Sequence, residues 1–378
     1  MENKRGQWGT NMGFLMAAVG SAVGLGNIWG FPYKMGANGG FAFLLVYIVL
    51  AVFVGFTIML GEFVLGRKSG KGAVGAYVAH SKRFKWVGFL GILSAFLIMS
   101  FYSVLGGYCI KYIVVNIGNI FSSTSLPSEQ IFTNLLTNQP ESIIYTLIFM
   151  VITCVIVMGG ISGGIEKFSK IAMPALFIFL VITIIRAVTL PGAGEGLTYM
   201  FKPNFEPLRT NFVKVLSSAG GQMFFSLSLG MGCMITYGSY LSKKESLEKN
   251  AIIVPAADTI VALLAGIAVL PAAFALGGEG AALGGPSLLF VTLQGVFAAM
   301  GGVGPIFGVL FYLLVLIAAI TSAISLVEVA TTYFIDRAES KGRQGKRKQT
   351  TVIVCVAIIV LATIVAADGL GSNGLWVP

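Results

Sequence analysis

Histidine occurs once in this chain, cysteine four times, and charged side chains make up only 11% of its 378 residues. Each shortage excludes something. A lone His80, set in a basic stretch, leaves no material for a histidine-based catalytic or metal centre. Cys109, Cys154, Cys233 and Cys355 all fall inside apolar runs without metal-ligand spacing. They read as small packing residues, supporting neither a disulfide nor a zinc site. No nucleophile–base pair, metal cluster or phosphate loop stands out, so an enzyme is disfavoured and no catalytic residue is assigned. Soluble domains carry roughly a quarter charged residues, and this chain has less than half of that.

What replaces charge is length of apolar sequence. Hydrophobic residues make up 56% of the chain and the mean hydropathy is +0.88. Runs of about 20 apolar residues, each able to cross a ~30 Å hydrocarbon core, recur throughout. The spans read as 11–35, 41–66, 87–116, 143–160, 167–188, 212–241, 251–277, 305–336 and 350–367, an all-α polytopic membrane protein. The formal charge of +10 follows topology and does not indicate a nucleic-acid partner. With the N-terminus inside, 19 of the 25 Lys and Arg fall in cytoplasmic stretches, leaving only Lys34, Lys111, Arg186, Lys202, Arg209 and Lys214 elsewhere. That bias is the positive-inside rule, and it predicts a multi-pass protein of the inner (plasma) membrane. "MENKRGQWGT" leads straight into the first span, so no cleaved signal is expected.

Two outer segments, 118–142 and 189–208, are rich in Pro, Gly, Asn and Ser and read as loops with short surface helices. "PSLLFVTLQGVFAAM" (286–300) is apolar but about 15 residues long, which suits a re-entrant or surface-packed helix. More telling are two spans built to come apart. "AVGSAVGLGNIWGFPY" (18–33) holds four glycines within eleven positions, then Pro32; "AGGQMFFSLSLGMGCMITYGSY" (219–240) carries glycine pairs and serines at its centre. Small residues can simply let helices approach closely. Two interrupted spans in matching places, first and sixth, point instead to a transporter with inverted repeats and a site at mid-membrane. Unwound backbone is tolerable in a bilayer only where protein buries it or a wet cavity is lined by it. Its freed carbonyls can then surround a cation, and its amides can hold a carboxylate.

At these residues the chain resembles the bacterial amino-acid transporters of the neurotransmitter:sodium symporter family. The motifs are "GSAVGLGNIWGFPY", "GGFAFLLVY", "LGEFVLGR", "SFYSVLGGY", "GGIEKFSKIAMPALF", "GQMFFSLSLGMGCMITYGSY" and "AAITSAISLVEV", in family order over essentially the whole chain. The resemblance implies a five-helix inverted-repeat fold with halves 1–190 (spans one to five) and 191–378 (spans six to nine). It also implies sodium coupling, which hydropathy alone does not give.

Carried over residue by residue, the resemblance implies two sodium sites. One would use the Ala22 carbonyl, Asn27, Ser226 and Asp258, completed by the substrate carboxylate. The other would use the carbonyls of Gly20, Val23 and Ala318 with the hydroxyls of Thr321 and Ser322. Neutral oxygens suit a hard cation that must also leave. The substrate carboxylate would meet the amides of Leu25 and Gly26 and the Tyr102 hydroxyl. Its amino group would meet carbonyls of Ala22, Phe225 and Ser226 and the Ser228 hydroxyl. Ile98, Tyr102, Phe225, Met231, Ser322 and Leu326 would line the side-chain pocket, favouring a bulky apolar or aromatic amino acid. Three acids lie at membrane depth, Glu62, Asp258 and Glu328, and such groups are usually functional. Glu62 resembles the glutamate that supports the unwound sixth helix. Animal relatives hold chloride near the positions of Tyr47, Gln222, Ser226 and Asp258; a carboxylate at 258 would make transport chloride-independent. Arg5, Trp8, Tyr240 and Asp336 match the cytoplasmic gate.

The sequence departs from that pattern in two places. Gly30 stands where the family's outer gate has arginine, with Lys34 one turn on. Pro378 follows directly on the ninth span, so a tenth helix is expected to be missing and the second repeat one helix short. Beside the symporter stand two alternatives: a carrier of another small amine or zwitterion, and a truncated, non-transporting remnant. The common mechanism is alternating access, the first and sixth spans moving against the third and eighth.

Overall fold

The computed structural model describes residues 6–122, 126–277 and 285–372, and among them every regular element is helical. Among the described residues seven helices are long and apolar enough to cross a bilayer: Phe41–Ser69, Lys82–Phe121, Gln139–Met158, Ile161–Val188, Leu247–Ala275, Gly301–Glu339 and Arg347–Ala367. Asn11–Ala22 and Gly26–Ala37, bent by 46°, make an eighth crossing when taken as one. The sixth apolar segment in chain order consists of Phe212–Ser226 and Cys233–Gly238, of 15 and 6 residues. At ~1.5 Å per residue neither crosses alone. The expected count of nine spans with an incomplete second repeat is therefore not confirmed. Hydropathy averages across a break, because glycine and serine lower the mean little while ending the helix.

Helix ends also differ from the apolar runs that announce them. The third segment starts at Lys82, where the Ser81 side chain accepts from the Arg83 N–H, so capping lets the helix begin before its apolar stretch. Phe41–Ser69 ends at Gly70, whose φ of 60° is left-handed and whose N–H returns to the Gly66 carbonyl. Leu288–Ala299 is an apolar helix too short to cross. The two segments rich in turn-forming residues fold into the short helices Ser128–Thr137, Ala193–Phe201 and Glu206–Thr210.

The centre of the molecule is the eighth segment. Every residue from Ala318 to Thr332 is buried, which marks a helix enclosed all round by protein instead of one showing a single apolar stripe. Its main neighbour is the third segment. The first half-helix, Asn11–Ala22, packs against the eighth, seventh and fifth segments, so its broken end is delivered to the middle of the bundle.

Candidate functional site

Helical geometry stops at Val23, which is extended (φ −76°, ψ 102°), and resumes after Leu25 as a wide π-turn over Gly26–Gly30. Gly24 is obligatory at the break. A Cβ there would lie 2.3 Å from Ser322 Oγ and 2.8 Å from the Tyr102 hydroxyl. In the sixth segment residues 227–232 are non-helical, with left-handed φ at Ser228 (53°), Gly230 (76°) and Gly232 (77°). A serine in that region is strained, and such strain gathers at functional sites. Ser228 is held by its hydroxyl, which donates to the Ser21 carbonyl at 3.0 Å. Glu62 Oε1 accepts the Gly230 N–H at 2.7 Å, so a fully surrounded carboxylate takes up one of the donors that unwinding releases.

Beside the two breaks sits Asp258, with no exposed surface. Its Oδ1 accepts from Asn27 Nδ2 at 2.7 Å and Ser226 Oγ at 3.0 Å. Its Oδ2 accepts from the Tyr47 hydroxyl at 3.0 Å and Ser226 Oγ at 3.1 Å. The ion pairs among the described residues are Lys111–Glu141, Lys170–Glu166 and Arg347–Glu328; none reaches Asp258. Asn27 Oδ1 is turned the other way by the Gly24 N–H, 3.0 Å distant. Gln222 Nε2 donates to the Gly26 carbonyl at 2.7 Å, which anchors the far side of the wide turn.

A second cluster of oxygens lies where the first segment meets the eighth. Thr321 Oγ1 is 3.0 Å from the Ala318 carbonyl and 3.5 Å from that of Val23. Ser322 Oγ is 3.4 Å from the Gly20 carbonyl and 3.5 Å from that of Val23. The three carbonyls and two hydroxyls singled out from the sequence thus gather in one place, all of them neutral. Chemically this set suits a monovalent hard cation, whose shell it can replace without a compensating charge.

Between the two clusters runs a narrow cavity of about 20 Å³, lined among others by Ala22, Gly26, Ile98, Tyr102, Phe225 and Met231. Ser226, Ser228, Ser322 and Leu326 also line it. Leu25 does not line it. Its N–H donates to the Tyr102 hydroxyl at 3.1 Å, so the amide and the phenol engage one another. That volume holds roughly one water, which means the walls are drawn together and must separate to admit a larger guest.

The side carrying the first residues of the chain is shut. Trp8 packs edge-on against Tyr237, with centroids 5.1 Å apart, and its Nε1 donates to the Tyr237 carbonyl at 3.1 Å. The Tyr240 hydroxyl donates to Glu328 Oε1 at 2.7 Å and meets Thr332 Oγ1 at 2.6 Å. Asp336 Oδ2 accepts from the Gly72 N–H at 2.7 Å. Arg5 lies outside the described residues. Glu328 therefore belongs to this closure and not to the cavity. At the other end, Gly30 faces Gln222 closely enough that an added Cβ would lie 3.1 Å from its Oε1, and Lys34 gives its carbonyl to Asn38 Nδ2.

Sequence reasoning passed over several residues here. Arg347, counted only as a topological charge, forms an ion pair with buried Glu328 and donates twice to the Val157 carbonyl. Its place at the very start of an apolar run was the available signal. Glu166 accepts from the Gly9 N–H at 2.7 Å and the Thr10 hydroxyl at 3.0 Å, and pairs with Lys170. Ser21 and Ser325, bonded at 2.7 Å, sit between the breaks; nothing in their spacing distinguishes them from packing serines.

Comparison with known proteins agrees with this architecture. The family described as Sodium:neurotransmitter symporter matches residues 5–129 and 138–373. The uncharacterized sodium-dependent transporter YhdH of Bacillus subtilis is 38% identical over 92% of this chain and 75% of its own length. An uncharacterized sodium-dependent transporter of Haemophilus influenzae is 39% identical over 99% of this chain and 82% of its own. Among solved structures, MhsT in complex with L-phenylalanine superposes with a TM-score of 0.89 at 39% identity, covering 99% of this chain and 83% of MhsT. The expected C-terminal truncation finds no support in these matches. With the family's profile spanning nearly all of it and two broken segments meeting at one buried carboxylate, this chain belongs to the sodium:neurotransmitter symporter family.

Proposed function

We propose that the chain is a sodium-coupled symporter of amino acids with bulky apolar or aromatic side chains, working by alternating access without chloride. The observation that carries this reading is Asp258. A buried carboxylate surrounded by neutral donors alone is costly, and a bound cation removes that cost. In this reading Asp258, Asn27, Ser226 and the Ala22 carbonyl hold one sodium ion, together with the substrate's carboxylate. Gly20, Val23, Ala318, Thr321 and Ser322 hold a second. The permanent negative charge at position 258 does the work that chloride would otherwise do.

Binding then follows from the breaks. Once the Leu25 N–H parts from the Tyr102 hydroxyl, the amides of Leu25 and Gly26, at the start of the wide turn, and that hydroxyl receive the carboxylate. Carbonyls of the sixth break and the Ser228 hydroxyl receive the ammonium. Ile98, Phe225, Met231 and Leu326 enclose the side chain, Met231 adapting to differing shapes because its thioether is unbranched and flexible. Two relatives support that substrate class. MhsT was solved in complex with L-phenylalanine, and a rat relative, 31% identical over 71% of this chain, is named for neutral amino acids. Ion and substrate share a ligand, so each raises the other's affinity by the same factor. Release requires the first and sixth segments to leave the third and eighth, opening the side sealed by Trp8, Tyr240 and Asp336. Each of the repeats 1–190 and 191–378 gives one broken segment to the moving group, the first or the sixth, and one long helix to the frame, the third or the eighth, with the N-terminus in the cytoplasm.

A human relative, 32% identical over 71% of this chain, is named an inactive transporter, which keeps a binding-only reading in play. Equilibrium binding of a panel of labelled amino acids to the purified chain, in sodium against potassium, tests the proposal, and uptake into vesicles separates transport from binding. Absence of sodium-dependent binding for every amino acid would refute it.

A further inference from the structure

We propose that the face carrying the basic excess holds a binding cleft for the phosphate of an anionic phospholipid, formed by Lys71, Lys85, Arg337 and Lys341. These four cations come from three places in the chain. Lys71 follows the second segment, Lys85 stands in the first turn of the third, Arg337 lies in the last turn of the eighth and Lys341 just beyond its end. Together they line one cavity of about 460 Å³ whose floor includes Gly72 and Gly75. The single acid in its wall, Asp336, already accepts the Gly72 N–H, and Arg337 Nη1 donates to the Tyr333 hydroxyl at 3.3 Å. Four positive groups around one carboxylate leave the cleft strongly cationic, although like charges repel and would spread apart on an ordinary surface. An anion of matching size removes that repulsion.

The rim says where the anion comes from. Phe84 and Trp86 flank Lys85, and with Phe89, Leu90 and Phe334 they are between 40% and 61% exposed. Large apolar side chains beside lysines at the end of a crossing helix mark the boundary between lipid and water. A cleft there opens sideways to headgroups, and basic pockets between helices on this side are a recurrent seat for anionic lipids. A seated lipid would tie the 71–85 connection to the end of the eighth segment, directly beside Asp336.

Titrating the detergent-purified full chain with short-chain phosphatidylglycerol, followed by native mass spectrometry, tests this without reference to transport, so a chain that binds no amino acid still answers it. Binding of phosphatidylglycerol, but not phosphatidylcholine, is expected, weakening about fivefold for each cation removed in K85Q, R337Q and K341Q. These side chains are exposed, and surface substitutions of this kind leave folding nearly unchanged. K243Q/K244Q, on the same face but outside the cleft, should bind as the parent does. Equal binding of phosphatidylcholine, undiminished binding in the cleft variants, or an equal loss in K243Q/K244Q would overturn the proposal. Inorganic phosphate binding as tightly as the lipid would overturn the lipid assignment, making the cleft a site for a soluble anion.

Discussion

Asn27 Nδ2 lies 2.7 Å from Asp258 Oδ1 although the two residues are 231 positions apart. The contact joins the broken first segment to the continuous seventh, at the point where the proposed ion and substrate would meet. Asn27 donates its amide to Asp258 while its oxygen accepts from the Gly24 N–H, so serving the proposed sodium ion requires the Asn27 amide to turn over.

Asp258→Asn is expected to weaken sodium about thirtyfold, since a charge-assisted contact is worth roughly 2 kcal/mol more than its neutral replacement. The substitution also removes the fixed negative charge, so residual binding should become dependent on chloride. Sodium titrations of amino-acid binding in chloride and in gluconate measure both effects. Unchanged sodium affinity would remove Asp258 from the ion site.

Thr321→Ala deletes one of five oxygens in the second cluster. Its hydroxyl also bonds the Ile317 carbonyl of its own helix, a bond whose loss costs only about 1 kcal/mol. The chain should therefore fold while its sodium dependence shifts about tenfold to higher concentration. A large fall in thermal midpoint without a sodium shift would instead make Thr321 a packing residue.

Glu328→Gln leaves Arg347 facing a neutral partner in a site where Glu328 has no exposed surface. Breaking such a pair on one side costs about 3–5 kcal/mol, whereas replacing both partners costs less. Thermal unfolding in detergent should rank the parent first, Glu328→Gln with Arg347→Gln second, and Glu328→Gln alone last. Equal stability of the two variants would show that the pair contributes no specific coupling between the eighth and ninth segments.

Much of this was legible in the chain itself, and the division has a physical cause. Glycine and serine at mid-span announced both breaks because no ordinary membrane helix uses them in such density. The oxygens proposed as ligands were named through the family resemblance, and their gathering depends on a close approach of Gly24 to Ser322 that the sequence does not show. Hydropathy found the apolar segments but not which of them run unbroken, because it averages over a window and is blind to where a helix stops. Arg347 and Glu166 escaped because a lone charge at the edge of an apolar run looks like a topological marker until its buried partner is known.

Glu166 supplies the remaining prediction. The first half-helix starts at Asn11, with Thr10 as its cap, and its positive end faces the Glu166 carboxylate, which accepts from the Gly9 N–H and the Thr10 hydroxyl. Gly13 makes room for it; a Cβ there would fall 2.1 Å from Oε1. An anion at a helix N-terminus stabilises it by up to about 2 kcal/mol when partly buried. The contact exists only while the first segment stands against the fifth, so it favours the arrangement in which the side sealed by Trp8 and Tyr240 is closed. Glu166→Ala should then raise the population open on that side about tenfold, the equivalent of about 1.4 kcal/mol, with Glu166→Gln intermediate because it keeps an acceptor but loses the charge. Cys233, buried completely behind the Trp8 and Tyr240 closure, is a native reporter once Cys109, Cys154 and Cys355 are replaced by alanine. Its labelling by a membrane-impermeant maleimide in detergent should be slowest in the parent, faster in Glu166→Gln and fastest in Glu166→Ala, and sodium should slow it again. Labelling at the same rate in all three proteins would mean that Glu166 anchors the N-terminal residues without biasing the gate.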